Sequence, residues 1–309
     1  MKYPLDEELR PLLMQKMPNT TRLLNIMNQV LLMYKCKSDD KVNVTEYEFE
    51  GYQGALRSLL VIEPKDVEKE LPCIVFFHGG GFMLRTSGAH YQLAKEYAAT
   101  LPCKVVYADY RLAPEYPYPT PVEDCFAAYQ WTLEHAKGLN IEKDKIVAAG
   151  DSAGGNLAAA VTFMARDRGI QMPVGDMLIY PVTDRRMMTE SMKKGSDTPV
   201  WDSNLTKMMW AAYLGDQVPE PIEYASPEAA SSMKDFPPTY IEVAEFDCLH
   251  DEGVWFYNKL KRAEIPAELH EVKRACHGFE TMVDSRITRE CMSRRIAWLR
   301  ALLDKEIEG

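Results

Sequence analysis

Residues 145–164 read Lys145-Ile-Val-Ala-Ala-Gly150-Asp151-Ser152-Ala153-Gly154-Gly155-Asn156-Leu-Ala-Ala-Ala-Val-Thr-Phe-Met164. A strand-like apolar run, Lys145–Ala149, meets a G-x-S-x-G pentapeptide, and a helix-like run, Ala153–Met164, follows at once. This order predicts a sharp strand–turn–helix with Ser152 at its apex. Glycines on both sides let the strand and helix backbones approach without Cβ clashes. The helix start behind Ser152 offers free N–H groups and the positive end of a dipole to any developing negative charge.

The same grammar extends on both sides. Strand-like runs are Cys73–Phe77, Lys104–Ala108, Met177–Tyr180, Tyr240–Ala244 and Glu268–Val272. Helical patterns occupy 88–100, 121–137, 154–168, 252–264 and 286–303. Continuous apolar strands separated by amphipathic helices predict βαβ units and a parallel sheet covered on both faces. Ahead of them, Val44–Phe49 and Ala55–Ile62 read as a hairpin, and residues 5–34 as two short helices broken at Pro18. Residues 185–225 break the rhythm. They are rich in Met and aromatic residues, including Met187, Met188, Trp201, Met208, Met209, Trp210 and Tyr213, and read as a helical insertion over the sheet.

With 309 residues, the chain is long enough for a large core. Its 36 basic and 46 acidic side chains leave a net charge of −10, which lacks the footprint of a nucleic-acid binder. The N-terminus shows no signal-peptide pattern, and no apolar run reaches the ~18 residues of a membrane span. Seven scattered cysteines without a C-x-x-C pair fit free thiols in a reducing compartment, so the expected location is cytoplasmic.

A serine hydroxyl is a weak nucleophile at neutral pH and needs an imidazole base, itself oriented by a carboxylate. His277, in Cys276-His277-Gly278-Phe279, lies just past the last strand-like run, at the sheet edge where the Ser152 turn also emerges. His270 falls inside a strand pattern and His135 on the solvent face of a helix. Asp247 follows the strand Tyr240–Ala244, 30 residues before His277 (277 − 247), one βα unit. Asp251 competes, but its place at the start of helix 252–264 favours capping or loop bracing. His78-Gly79-Gly80-Gly81 follows its own strand. Three glycines let backbone N–H groups turn into a cavity, with His78 ordering the loop.

Five motifs in order complete the pattern: His78-Gly-Gly-Gly-Phe82, Asp109-Tyr-Arg-Leu-Ala-Pro-Glu115, Gly150-Asp-Ser-Ala-Gly-Gly-Asn156, Asp247-Cys-Leu-His-Asp-Glu-Gly253 and His277-Gly-Phe279. Together they resemble the hormone-sensitive-lipase-like carboxylesterases of the α/β-hydrolase superfamily, from about residue 72 to the C-terminus. The resemblance implies an α/β-hydrolase fold, a mostly parallel sheet with helices on both faces and a helical cap. By it, residues 1–40 and 185–225 would supply the cap, and 41–184 with 226–309 the catalytic core. It implies Ser152 as nucleophile, Asp247 as acid and His277 as base, with oxyanion donors at Gly80, Gly81 and Ala153. Arg111 and Glu115 would be loop-fixing ion partners. No metal and no organic cofactor are implied. The expected partner is a small-molecule ester of short or medium acyl chain, and dimers are common in that family, so a homodimer is an expectation. Cys248 stands where that family has Pro, and Phe82-Met83-Leu84-Arg85 lacks its usual small residue. Both departures bear on substrate choice. An O-deacetylase for carbohydrate or xenobiotic esters would use the same residues, as would, less readily, a peptidase. A non-catalytic receptor of the same fold is disfavoured because Ser152, Asp247 and His277 are all present.

Overall fold

A computed structural model describes residues 2–304; Met1 and residues 305–309, the ends of the expected cap segment and core, lie outside the described residues. Eight strands form one sheet: β1 (Val42–Glu50), β2 (Leu56–Pro64), β3 (Leu71–Phe77), β4 (Lys104–Ala108), β5 (Ile141–Asp151), β6 (Gly175–Ile179), β7 (Thr239–Phe246) and β8 (Ala267–Cys276). Their spatial order is β1-β2-β4-β3-β5-β6-β7-β8. The β1–β2 hairpin and the β2–β4 pair are antiparallel, and the other pairs are parallel.

Alternate residues of the central strands feed two cores. Cys73, Val75 and Phe77 of β3, with Ile146 and Ala148 of β5, pack on one face. Ile74, Phe76, Val147 and Ala149 pack on the other. The first face is covered by α3 (Thr120–His135), α4 (Ala153–Asp167) and α7 (His250–Arg262), through Phe126, Leu157 and Phe256. The second is covered by α2 (Gly88–Thr100) and α8 (Arg286–Leu303), through Tyr97, Ile296 and Leu299. Burial on both faces explains why these strands read as continuous apolar runs.

Two registers position the functional loops. Phe77 of β3 lies opposite Gly150 of β5, so the loops that follow leave the sheet side by side. The strand order also reverses around β3, with β4 on one flank and β5 on the other, which opens a crevice at the carboxyl ends. Phe246 of β7 lies opposite Cys276 of β8, so Asp247 and His277 also emerge as neighbours. Between β6 and β7 the insertion carries α5 (Glu190–Lys194) and α6 (Ser203–Leu214). A parallel bridge, Lys16 to Val200, joins it to the N-terminal segment.

Some expectations need correction. Only the second N-terminal segment, α1 (Thr21–Leu31), is an α-helix. Glu7–Met14 is a 3₁₀ helix, because Pro11 lies inside it and cannot supply an α-helical N–H. Strand β5 begins at Ile141, before Lys145. Its charged start, Glu142–Lys145, is not buried, so no apolar pattern marks it. Strand β8 runs on to Cys276, through exposed Lys273 and Arg274. No helix among the described residues is long and apolar enough to cross a membrane.

Candidate active site

Ser152 is the turn between β5 and α4. Its φ is +55°, a left-handed conformation that non-glycine residues adopt rarely and at a cost of order 1–3 kcal/mol. The surroundings hold it there. Its N–H donates to the Ile179 carbonyl at 2.8 Å, and its carbonyl accepts from Val182 N at 3.1 Å. The helix behind it sits unusually close to β3. A Cβ on Gly154 would lie 1.9 Å from the Phe77 carbonyl oxygen, and one on Gly150 would lie 2.3 Å from the Gly154 oxygen. Only glycine fits either place.

His277 Nε2 lies 2.9 Å from Ser152 Oγ, and His277 Nδ1 lies 2.6 Å from Asp247 Oδ2. The other Asp247 oxygen accepts the Leu249 N–H at 2.9 Å. All three side chains are buried. The Asp247 contact fixes Nδ1–H as donor, so Nε2 faces the serine hydroxyl with its lone pair.

The glycine loop faces them. Gly80 and Gly81 have φ of +115° and +61°. Leu84 and Met83 donate to the Gly80 carbonyl at 2.9 and 3.1 Å, which closes the turn. The Gly79 N–H donates to Asp151 Oδ1 at 2.9 Å. The N–H groups of Gly80, Gly81 and Ala153 donate to no protein acceptor among the described residues. His78 orders the loop as its position implied: Nδ1–H donates to the Gly79 carbonyl at 2.7 Å, and its ring stacks on Tyr110 at 4.4 Å. Burial pushes the His78 pKa down to about 4, so it is neutral.

The other expectations divide. His135 is exposed and bonds its own helix, and His270 lies in β8. Asp251 accepts from Ser191 N at 2.8 Å and so braces α5. Arg111 is an ion partner, of Asp124 on α3 at 2.8 Å. Glu115 is not: it is exposed, and no salt bridge among the described residues includes it. The Asp109–Glu115 segment is instead tied at its start, by Asp109 to Arg57 at 2.9 Å. Burial pushes the Cys276 thiol up to about 12 and Cys248 up as well, so both are protonated packing groups at neutral pH.

Three features escape sequence reading. Trp201 of the insertion lies against Gly81, its ring 2.5 Å from where a Cβ would be and its centroid 5.9 Å from that of His277. His90 contacts Asp151 at 3.2 Å. Arg295 of α8, fully buried, holds Glu280 at 2.9 Å and also pairs with Glu242 of β7. Glu280 sits three residues after His277, so the guanidinium pins the turn that presents the imidazole. Burial opposes the Glu242 charge, yet Arg295 outweighs it and holds that carboxyl down at about 2. Among the described residues, Glu242, His270 and Cys291 have ligand atoms within 4.8 Å of one another. Glu242 is already occupied by Arg295, so a metal ion there would face a guanidinium.

An alpha/beta hydrolase fold family matches residues 74–281. The chain belongs to that family. Esterase LipI of Mycobacterium tuberculosis is 33% identical over 241 residues, covering 77% of this chain and 75% of the relative. Carboxylesterase NlhH of the same organism is 34% identical over 235 residues, covering 74% and 73%. A solved structure of a bacterial heroin esterase superposes with a TM-score of 0.89 at 30% identity, covering 98% of this chain and 99% of the other. These relatives put the α/β hydrolase among the hormone-sensitive-lipase-like carboxylesterases.

Removing the cation that anchors the His277 turn tests the packing around the site. Arg295→Met leaves Glu242 and Glu280 buried without a counter-charge. Urea denaturation should show a loss of about 3–5 kcal/mol. A loss under about 1 kcal/mol would contradict the anchoring role.

Proposed function

We propose that this carboxylic ester hydrolase cleaves short- to medium-chain acyl esters through an acyl-enzyme on Ser152. The reading rests on one observation, the continuous contact Asp247–His277–Ser152 at 2.6 and 2.9 Å. His277 takes the Ser152 proton as the hydroxyl attacks the ester carbonyl. The N–H groups of Gly80, Gly81 and Ala153 receive the oxyanion. His277 then protonates the leaving alcohol, and Asp247 stabilises the imidazolium in between. Water, activated by the same imidazole, attacks the acyl-enzyme, releases the acid and restores the serine.

Chain length follows from what covers the serine. Trp201 lies against Gly81, and in this reading its ring limits the length of acyl group that can sit over the serine. Beyond it, a cavity of about 650 Å³ lies between the N-terminal segment and the insertion, lined by Met17, Leu23, Met27, Val200 and Leu205 among others. Shared lining and the Lys16–Val200 bridge support reading residues 1–40 and 185–225 as one cap over a core of 41–184 and 226–309. The Trp201 ring against Gly81 favours one second reading, an O-deacetylase acting on carbohydrate or xenobiotic acetyl esters. A panel varying the alcohol separates the two. All seven cysteines are free, which supports a reducing compartment such as the cytoplasm. Strand β8 ends the sheet, and a homodimer across that edge belongs to the same reading.

Ser152→Ala should lower kcat on p-nitrophenyl butyrate by about 10,000-fold or more with the fold unchanged. A rate near wild type would refute the acyl-enzyme. Trp201→Ala should raise the octanoate-to-acetate ratio of kcat/KM by about tenfold or more, since each buried methylene is worth about that much in discrimination. An unchanged ratio would remove Trp201 from the specificity account.

A further inference from the structure

The peptide between Gly80 and Gly81 is one planar unit, so its carbonyl and its N–H turn together and point in opposite directions. The N–H end is the donor that Gly81 offers to the proposed oxyanion. The carbonyl end is held by the Leu84 N–H at 2.9 Å and the Met83 N–H at 3.1 Å. Whatever fixes residues 83–85 therefore fixes the aim of the Gly81 amide. The glycines themselves cannot do so. Both have positive φ, and glycine has the widest backbone freedom of any residue.

Asn28 of α1 supplies the hold. Its Nδ2 donates to the Met83 carbonyl at 2.9 Å, and its Oδ1 accepts the Arg85 N–H at 2.9 Å. The two bonds flank Leu84, the residue whose N–H closes the turn on Gly80. Among the described residues no other side chain bonds the backbone of residues 80–85. Phe82 is tied separately, its carbonyl accepting the Ala113 N–H at 2.9 Å.

The rest of α1 explains why a polar clamp is needed. Leu24 is its one buried side chain, and it joins the core that contains Phe82, Met83 and Leu84. Leu23, Ile26 and Val30 are exposed. A helix of eleven residues with so little burial is not oriented by packing alone. Leu24 and Asn28, four residues apart, lie on one face and seat α1 on the loop. Asparagine is also a weak helix former, so its place in the middle of α1 costs local stability that an outward-facing alanine would not. We propose that Asn28 is a positioning residue: it carries the seating of α1 through Met83–Arg85 to the Gly80–Gly81 peptide and so aims the Gly81 N–H at the oxyanion. The proposal rests on the reading that Gly81 is an oxyanion donor.

The decisive variants are Asn28→Ala, which removes both bonds and leaves a stronger helix former, and Asn28→Asp, which keeps the size but sets an oxygen against the Met83 carbonyl. Asn25→Ala, at an exposed position one turn earlier, is the control. Each is assayed on p-nitrophenyl butyrate and with a short alkyl trifluoromethyl ketone. The ketone carbon bonds to Ser152 Oγ, the hydroxyl proton passes to His277, and the ketone oxygen becomes an oxyanion, so its Ki reads the donors without turnover. Both Asn28 variants should lose about tenfold or more in kcat/KM, chiefly in kcat, with Ki raised by about the same factor. Asn25→Ala should stay within about twofold of wild type on both. A partly misfolded preparation lowers kcat but leaves Ki unchanged, because only folded enzyme binds the ketone. A fall in kcat with unchanged Ki, wild-type values of both in Asn28→Ala, or an equal loss in Asn25→Ala would overturn the proposal. Should Asn28→Ala not fold, Asn28→Asp carries the same expectations. A ketone that fails to inhibit the wild-type enzyme would instead remove the underlying reading, so the two failures are distinguishable.

Discussion

Helix α4 starts so close to the end of β3 that Gly154 has no room for a side chain beneath the Phe77 carbonyl. Much of the site follows from that approach. It forces the chain to reverse within one residue, which puts Ser152 in a left-handed conformation with its hydroxyl outside the turn. It also puts the free N–H at the head of α4 beside the loop that leaves β3, because Phe77 and Gly150 are paired in register. A serine hydroxyl and three unused amides are thereby gathered by backbone geometry.

The second half of the site comes from the other end of the sheet and is held differently. Asp247 and His277 emerge side by side because β7 and β8 are parallel and paired up to Phe246 and Cys276. Their loops are fixed by charge. Arg295 grips Glu280 and Glu242 in a place without solvent, and Asp251 braces the insertion through Ser191. Buried ion pairs contribute little net stability compared with apolar packing, but breaking one is severe. Such a pair therefore holds in one geometry the turn that keeps His277 within hydrogen-bond distance of Ser152.

What could be read from the sequence was whatever chemistry is carried by neighbours in the chain. Gly150–Gly154, His78–Gly81 and the residues after two strand-like runs identify Ser152, Asp247 and His277 because each is defined by its own few residues and its strand. The contacts of Trp201 with Gly81, of His90 with Asp151 and of Arg295 with Glu280 join residues 120, 61 and 15 apart, and nothing local marks them. Glu115 misleads for the opposite reason. It lies in a motif, but its turn faces solvent, and the true partner of Arg111 is Asp124 on the next helix. The N-terminal 3₁₀ turn and the charged start of β5 escape because a proline inside a helical pattern and an unburied strand end both erase the periodicity that pattern reading depends on.

A crystal structure after reaction with an alkyl phosphonate ester tests the central claim most directly, because the phosphonate copies the tetrahedral intermediate. Phosphorus should be bonded to Ser152 Oγ, with the phosphoryl oxygen about 2.7–3.1 Å from the amides of Gly80, Gly81 and Ala153. An adduct on another side chain, or a phosphoryl oxygen turned away from those amides, would contradict the account.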